Sequence, residues 1–321
     1  MKIDSHASEK IRALSFLFSI LIVGAHAGHS GANVMHRIFP GFLVFAAVPF
    51  FFLISGVLMF KDYQPTWQWW LVTLRKRSTS LYVPYLFWNV VYLVLKYVCG
   101  SLRIDQVPVV DIIGVVTGID VLTEPACGPF WYIRVLIIFT LIAPVFGLCF
   151  KHLRIGMVLL IFLWAGYFLM PAKQLAHTGI KFISVTWFAT GIFVAIHYAY
   201  SKKILRGMLQ WKWFVIASFL VSDVIFVFVT QMYSASLCIA LGLLVIWICY
   251  PAFENRLVRF YALFGLSFFI YAFHPLAITL TRKLYCNYYF VWIASFICCV
   301  VMGCIVRKSM RPIYLIMCGG R

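Results

Sequence analysis

Acidic residues are scarce in this chain. It has 9 Asp and Glu against 27 Lys and Arg, and charged residues make up only 11% of its 321 residues, whereas 64% are hydrophobic. Soluble domains carry roughly a quarter charged residues, so the charges here are too few to cover a surface in contact with water. The composition excludes an ordinary soluble protein and predicts an all-α, polytopic membrane protein embedded in a lipid bilayer.

The chain also lacks the local motifs of soluble enzymes. It has no Gly-x-Ser-x-Gly elbow, no glycine loop for phosphates or dinucleotides, and no His-x-x-x-x-Asp pattern. Its 10 cysteines show no metal-ligand spacing, so we expect no metal site. One disulfide among Cys99, Cys127 and Cys286, which fall near the predicted outer face, stays open.

Long apolar runs predict ten transmembrane helices. They lie near 13–32, 41–60, 80–98, 129–149, 155–171, 180–199, 213–231, 235–250, 261–281 and 289–306. No soluble module, repeat or low-complexity tract separates them, so we expect one domain over residues 1–321. The longest connection, Gly100–Gly128, is predicted to be a structured loop that caps the outer face.

The basic residues indicate which side each end lies on. Of the 27 Lys and Arg, Lys96 and Arg134 fall inside predicted spans. Six fall in outer segments and the other 19 in inner ones if the N-terminus is cytoplasmic. This is the bias of the positive-inside rule, so both termini are expected in the cytoplasm. The same bias accounts for the net charge of +18 without nucleic-acid binding.

Ionisable residues inside apolar helices are costly, so they are the first candidates for function. His26 lies near the far end of the first run, about 21 Å above Arg12 if the run is helical. Arg134 and His274 lie in the outer parts of the fourth and ninth predicted spans. Three ionisable side chains on different helices are therefore expected to approach one depth near the outer leaflet.

Another interpretation would remove His26. Lys10 and Arg12 before an apolar stretch that ends in Ala25-His26-Ala27 imitate a signal peptide with its cleavage site. We expect the segment to be retained, because nine remaining spans would place the termini on opposite sides without improving the basic bias.

Five sequence blocks, in order from end to end, resemble the acyltransferase 3 family of integral membrane O-acyltransferases. The blocks are Lys10-Ile11-Arg12 leading into Ile22-Val23-Gly24-Ala25-His26, Val48-Pro49-Phe50-Phe51-Phe52-Leu53-Ile54-Ser55-Gly56, Arg75-Lys76-Arg77 with Val83-Pro84-Tyr85-Leu86-Phe87-Trp88, Phe130-Trp131-Tyr132-Ile133-Arg134 with Ala143-Pro144, and Ser267-Phe268-Phe269-Ile270-Tyr271 with His274-Pro275. The resemblance implies ten spans, a cytoplasmic acyl-CoA donor, and transfer of a small acyl group, with acetyl the first expectation, to a hydroxyl, usually on a sugar.

The resemblance also implies a functional pair, an arginine followed by a histidine in the first span. Arg12 and His26 match it, but they are fourteen positions apart, about one helical turn more than is usual in the family. Both spacings return to nearly the same helix face. His26 therefore keeps its predicted role, while Arg12 is expected to be an anchor or a cation at the inner mouth.

Chemistry assigns the remaining roles. His26 is the predicted general base for a hydroxyl, and Arg134 is predicted to stabilise the negative charge that develops on the thioester carbonyl. Arg75, Lys76 and Arg77, with Arg12, are the expected binding residues for CoA phosphates. Trp131, His274 and Ser55 are predicted to bind the acceptor, a cell-surface, exported or lipid-linked glycan. The protein itself is expected in the cytoplasmic (inner) membrane, which its helices cross several times.

Other roles remain open for each residue. They are a hydrogen bond between helices for His26, a topology signal for Arg75-Lys76-Arg77, an interfacial position for Trp131, small-residue packing at Ser55-Gly56, and a kinked helix at His274-Pro275. Asp223, in the middle of the seventh predicted span, favours a rival class, a proton-coupled transporter. A non-catalytic export subunit is a further alternative. So is a member of the other multispan O-acyltransferase family, whose intramembrane histidine lies late in the chain, where His274 is the comparable residue.

Overall fold

The computed structural model describes residues 5–28, 41–100, 108–118, 125–169, 180–211 and 263–320, together with residues 214, 217 and 221. All regular structure in these ranges is helical. The helices are α1 (Ser5–Ala27), α2 (Gly41–Phe60), α3 (Trp67–Arg77), α4 (Val83–Val98), α5 (Val109–Thr117), α6 (Trp131–Leu141), α7 (Ala143–Phe150), α8 (Leu153–Leu169), α9 (Phe182–Ile196), α10 (Tyr198–Gln210), α11 (Ser267–Leu284), α12 (Tyr288–Ser309) and α13 (Arg311–Cys318). A π turn (Ser78–Tyr82) joins α3 to α4.

Part of the predicted set of membrane spans is recovered in these ranges. Helices long and apolar enough to cross a membrane are Ser8–Ala27, Trp67–Val98, Leu263–Leu284 and Tyr288–Ser309, and two bent pairs raise the number from 4 to 6 if each pair is one span. The predicted spans 213–231 and 235–250, and Asp223 with them, lie outside the described residues apart from 214, 217 and 221. The number of ten spans and the cytoplasmic termini therefore stay predictions.

The fourth predicted span is not one straight helix, because a proline interrupts it. Helices α6 and α7 meet at an angle of 67°. Pro144, in the first turn of α7, has no N–H, so the carbonyl of Thr140 loses its helical partner. The indole of Trp70 donates to that carbonyl instead, at 3.3 Å. The sixth predicted span, 180–199, corresponds to α9, and near its end the chain turns by 104° into α10.

Residues 108–118 of the long connection between the third and fourth predicted spans are described. They contain the apolar helix α5, which packs against α4. Gly118, just after α5, lies so close to the Tyr85 hydroxyl that a Cβ there would be 2.7 Å from it. Tyr85 is thirteen residues from the end of α4, about 20 Å along the helix. The connection therefore reaches back into the bundle alongside α4.

Two glycines let helices α2 and α9 touch along their backbones. A Cβ on Gly56 would collide with the carbonyl oxygen of Phe188, and a Cβ on Gly191 would collide with that of Leu53. Such close approach of apolar helices is typical of small-residue interfaces in membranes. Gly56 therefore has the packing role that was the alternative for Ser55-Gly56. Helix α1 packs against α2, α11 and α12, and this places its last turn beside the middle of α11.

Candidate functional site

Two histidines from different helices meet near the end of α1. His26 lies in the last turn of α1 and His274 in the middle of α11, and their ring centroids are 5.0 Å apart with the planes tilted by 39°. His274 is fully buried, whereas His26 is exposed. The structure therefore brings together the two histidines that the sequence placed at one depth, and His26 is the member that a substrate can reach.

A proline sets the orientation of His274. Pro275 lies inside α11 and has no N–H, so the carbonyl of Tyr271 lacks its helical donor. Nδ1 of His274 lies 2.7 Å from this oxygen, and because a carbonyl oxygen only accepts, Nδ1 carries the hydrogen and donates it. In the neutral ring, Nε2 is then an acceptor. It is buried and has no hydrogen-bond partner among the described residues.

Side chains of α11 and α12 hold the last turns of α1. Nη2 of Arg282 donates to the backbone carbonyls of His26 and Ala27, at 3.0 and 3.1 Å. Further back along α1, two more carbonyls accept hydrogen bonds from Tyr288 and Trp292, at 3.3 and 2.8 Å. A cation at the C-terminal end of a helix also interacts favourably with the helix dipole. The turn that carries His26 is therefore fixed by side chains from two neighbouring helices.

Arg134 is buried in the wall of a cavity of about 520 Å³, which we call the Arg134 cavity. The Tyr85 hydroxyl beside it is buried without a hydrogen-bond partner among the described residues. The residues that line the cavity are Leu74, Arg77, Ser78, Tyr82, Tyr85, Thr117, Gly118, Arg134, Ile137, Ile138, Thr140 and Leu141. It is thus a largely apolar chamber with an arginine at each of two positions, on α3 and on α6.

A second cavity, of about 580 Å³, lies at the α3 end of the bundle, and we call it the basic cavity. Its lining residues are Leu58, Met59, Lys61, Asp62, Gln64, Thr66, Gln68, Trp69, Val72, Thr73, Lys76, Arg77 and Ser80. Arg77 lines both cavities, whereas Arg75 is exposed and lines neither, and neither does the exposed Arg12. The structure therefore distinguishes among the four cations that the sequence grouped as CoA ligands.

Three stacked rings stand between the Arg134 cavity and the histidine pair. The centroid of Tyr85 is 5.9 Å from that of Phe130, and Phe130 is 5.7 Å from Tyr271 in a parallel stack. Tyr271 in turn lies 6.2 Å from His274, and its hydroxyl donates to the carbonyl of Pro129. We call Tyr85, Phe130 and Tyr271 the ring wall. Arg134 thus shares its chamber with Arg77, and the ring wall runs from Tyr85, which lines that chamber, to Tyr271 beside His274.

The other two predicted acceptor residues lie on the α2–α6 side of the bundle. The Ser55 hydroxyl is 2.9 Å from the hydroxyl of Tyr132, which itself donates to a backbone carbonyl of α2. Trp131 is half-buried, and the ammonium of Lys181 lies 4.6 Å from its ring centroid. Ser55 therefore ties α2 to α6, and Trp131 has a cation over one face; acceptor binding by either residue stays a prediction.

Three side chains around the site were given no role by sequence reasoning. Tyr85 stood out only as part of a block that resembles the family, and Arg282 lies at a helix end. Asn89 was visible as a polar residue inside a span, and its role is structural. Its amide donates to the carbonyl of Tyr85 at 2.9 Å and accepts from the backbone N–H of Cys127 at 3.2 Å, which anchors the segment before α6.

Two open questions from the sequence concern sulfur and metals. Cys99, Cys127 and Cys286 are all free thiols, and Cys127 is buried. Within the described ranges no three His, Cys, Asp or Glu side chains come together in a way that would hold a metal ion.

The chain matches the model of a known protein family over most of its length. A family model for an acyltransferase domain, that of acyltransferase 3, matches residues 10–306. No curated protein and no solved structure matches the chain significantly. The match covers nearly the whole chain and includes His26, Arg134 and His274. The chain therefore belongs to the acyltransferase 3 family, and it is a multi-pass membrane acyltransferase.

Proposed function

We propose that the protein is an acyl-CoA-dependent O-acyltransferase of the cytoplasmic membrane. It transfers a short acyl group, for which acetyl is the first candidate, to a hydroxyl of a cell-surface or exported glycan. The observation that carries this proposal is the histidine pair, in which an exposed imidazole lies 5.0 Å from a buried one. An imidazole is the side chain best suited to take the proton of a hydroxyl near neutral pH.

The two cavities support a nucleotide-linked donor. The basic cavity has three cations and one carboxylate in its lining, and hydroxyl and amide side chains complete it. Guanidinium and ammonium groups bind phosphates through charge-assisted hydrogen bonds. The Arg134 cavity continues from Arg77 with mostly apolar walls. We assign the phosphates and nucleoside of CoA to the basic cavity and its pantetheine arm to the Arg134 cavity.

The reaction is acyl transfer. His26 removes the proton of the acceptor hydroxyl, the hydroxyl oxygen bonds to the thioester carbonyl carbon, and the bond from that carbon to sulfur breaks. The proton then passes from His26 to the departing thiolate of CoA. Negative charge collects on the carbonyl oxygen before the carbon–sulfur bond breaks, and a cation such as the buried Arg134 stabilises that charge in a low-dielectric site.

The ring wall sets one requirement on this mechanism. The acyl group enters on the side of Arg134, and His26 lies on the other side of Phe130 and Tyr271. Transfer therefore requires rings of the wall to turn aside when donor and acceptor are bound. Such closing and opening steps are common in enzymes that keep water from a reactive intermediate.

His26→Ala tests the proposal, with His152→Ala as its control because His152 is an exposed histidine at the start of α8. Each variant is expressed in a strain from which the gene has been deleted, its membrane level is measured, and O-acyl groups on the extracted surface glycan are quantified by NMR. We expect wild type and His152→Ala to restore the O-acyl signals and His26→Ala to abolish them. Full acylation by His26→Ala refutes the base, and identical spectra from deletion and parent strains refute the glycan acceptor.

A further inference from the structure

Each of two prolines inside apolar helices leaves one backbone carbonyl without its helical N–H donor. A different type of side chain donates a hydrogen bond to each of these carbonyls. At Pro144 the indole of Trp70 donates to the carbonyl of Thr140, at 3.3 Å. At Pro275 the donor is the imidazole of His274. An indole has one nitrogen and can only donate. An imidazole has a second nitrogen, and in His274 that atom remains an acceptor.

The acceptor nitrogen of His274 is buried at a cost. The ring is fully buried, and Nε2 has no hydrogen-bond partner among the described residues. A buried acceptor without a partner costs about 1–3 kcal/mol. A side chain that only had to satisfy the carbonyl of Tyr271 would not need this second nitrogen, so the unpartnered atom points to a role beyond helix repair.

The neighbouring ring is that of His26, at a distance that suits a hydrogen bond between imidazoles. Each ring nitrogen lies roughly 1.1 Å from its centroid, so an N–H···N bond of about 2.9 Å joins two centroids about 5 Å apart. The observed separation is 5.0 Å. His26 is exposed, and rotation about its side-chain bonds would aim an N–H at Nε2 of His274.

No carboxylate among the described residues is placed to accept a hydrogen bond from His26 in place of His274. The acidic side chains in the described ranges are Glu9 near the start of α1, Asp62 between α2 and α3, and Asp111 in α5. None of them is among the groups that interact with His26 or His274. The other charged or titratable groups described around His26 are Arg282 on α11 and Tyr288 on α12, and both bond to carbonyls of α1.

We propose that His274 is a positioning residue for His26: its Nε2 accepts the N–H of one His26 nitrogen and leaves the other nitrogen unprotonated toward the acceptor hydroxyl. This rests on the proposed function, in which His26 is the base. When His26 takes the proton of the hydroxyl, both its nitrogens carry hydrogen, and the bond to His274 holds the charged ring in place. His274 stays neutral throughout, and the proton leaves His26 for the thiolate of CoA.

The test separates this role from the structural one by giving the carbonyl of Tyr271 another donor. His274→Ala removes both functions of the ring. His274→Ala combined with Pro275→Ala restores a backbone N–H at position 275, which bonds the carbonyl of Tyr271 as in an ordinary helix. His274→Asn offers an amide N–H near the place of Nδ1 and has no counterpart of Nε2.

The measurements are the thermal midpoint of the purified protein, and kcat and KM for acetyl-CoA with extracted glycan as acceptor, with Pro275→Ala alone as the reference for the double variant. We expect the double variant to recover the thermal midpoint that His274→Ala loses, while its kcat stays about 10- to 100-fold below that of Pro275→Ala. This range is taken from the loss seen when the partner that orients a metal-ligating histidine is removed. KM for acetyl-CoA should stay within about threefold, and His274→Asn should behave in the same way.

Recovery of kcat in the double variant would show that His274 only repairs the helix, and it would overturn the proposal while leaving His26 as base. An active His26→Ala, in contrast, would overturn the proposed function itself. The two failures are therefore distinguishable in one set of variants.

Discussion

Arg75 and Arg77 carry the same charge two residues apart in α3, but only one of them faces the cavities. Arg77 is half-buried and lines both, whereas Arg75 is exposed and lines neither. Replacing either by Gln removes one positive charge from the same segment, so any effect on membrane topology is shared. A difference between the two variants therefore reports on the donor site.

The size of the difference follows from the lost contact. A hydrogen bond from a guanidinium to a phosphate is worth about 1.5–3 kcal/mol, and each 1.4 kcal/mol is about a factor of ten in affinity. We expect Arg77→Gln to raise KM for acetyl-CoA about 10- to 100-fold. Arg75→Gln should change it by less than about threefold, because an exposed charge outside the site acts only through screened electrostatics.

The assay follows release of the CoA thiol by membrane vesicles that contain equal amounts of each variant. Acetyl-CoA is titrated at a fixed, saturating amount of extracted surface glycan, and a vesicle preparation of the His26→Ala variant gives the background. Equal rises of KM in Arg75→Gln and Arg77→Gln would refute the assignment of the donor to the two cavities, as would an unchanged KM in Arg77→Gln.

Two further predictions concern the packing that holds the site. Gly191→Ala places a Cβ against the backbone of α2, so we expect it to lower the free energy of unfolding by about 1–3 kcal/mol. Its control is Gly207→Ala, in α10 with open space around it, which should leave the thermal midpoint unchanged or higher. Equal midpoints in the two variants would contradict the backbone contact. Arg282→Met removes the donor to the carbonyls of α1's last turn. We expect kcat to fall about tenfold or more with KM for acetyl-CoA unchanged, while Lys283→Met, at the exposed neighbouring position, should keep the wild-type kcat. The same loss in both variants would refute a specific role for Arg282.

The helical class and the positions of several helices were predictable because they follow from local sequence. Apolar runs identify spans whatever their neighbours, and eight of the predicted spans have helices in the described ranges. The break at Pro144 was not predicted, although the proline was visible, because a proline either kinks or ends a helix and the local sequence does not decide which. Helix α5 was missed because a short apolar helix gains its stability from packing on α4.

Part of the candidate site, the histidine pair, could also be predicted from the sequence. The cost of burying imidazoles picked out His26 and His274, and helix length placed them at one depth. Depth does not tell which side of a neighbouring helix a residue faces, so the sequence could not show that Arg134 shares a cavity with Arg77 behind the ring wall. Nor could it separate Arg75 from Arg77, since burial of a charge depends on the helix that covers it.

The rod formed by α3, the π turn and α4 is longer than a membrane is thick. Its 32 residues extend about 48 Å, against about 30 Å for the hydrocarbon core. A tilt large enough to submerge it would far exceed the roughly 20° average of membrane helices, at which about 15 Å of the rod would extend beyond the hydrocarbon core. We expect the basic end of α3 to be the part that extends into the headgroups, because Arg75, Lys76 and Arg77 are costly in hydrocarbon. The basic cavity beside it would then open near the lipid phosphates, with which any anionic ligand must compete.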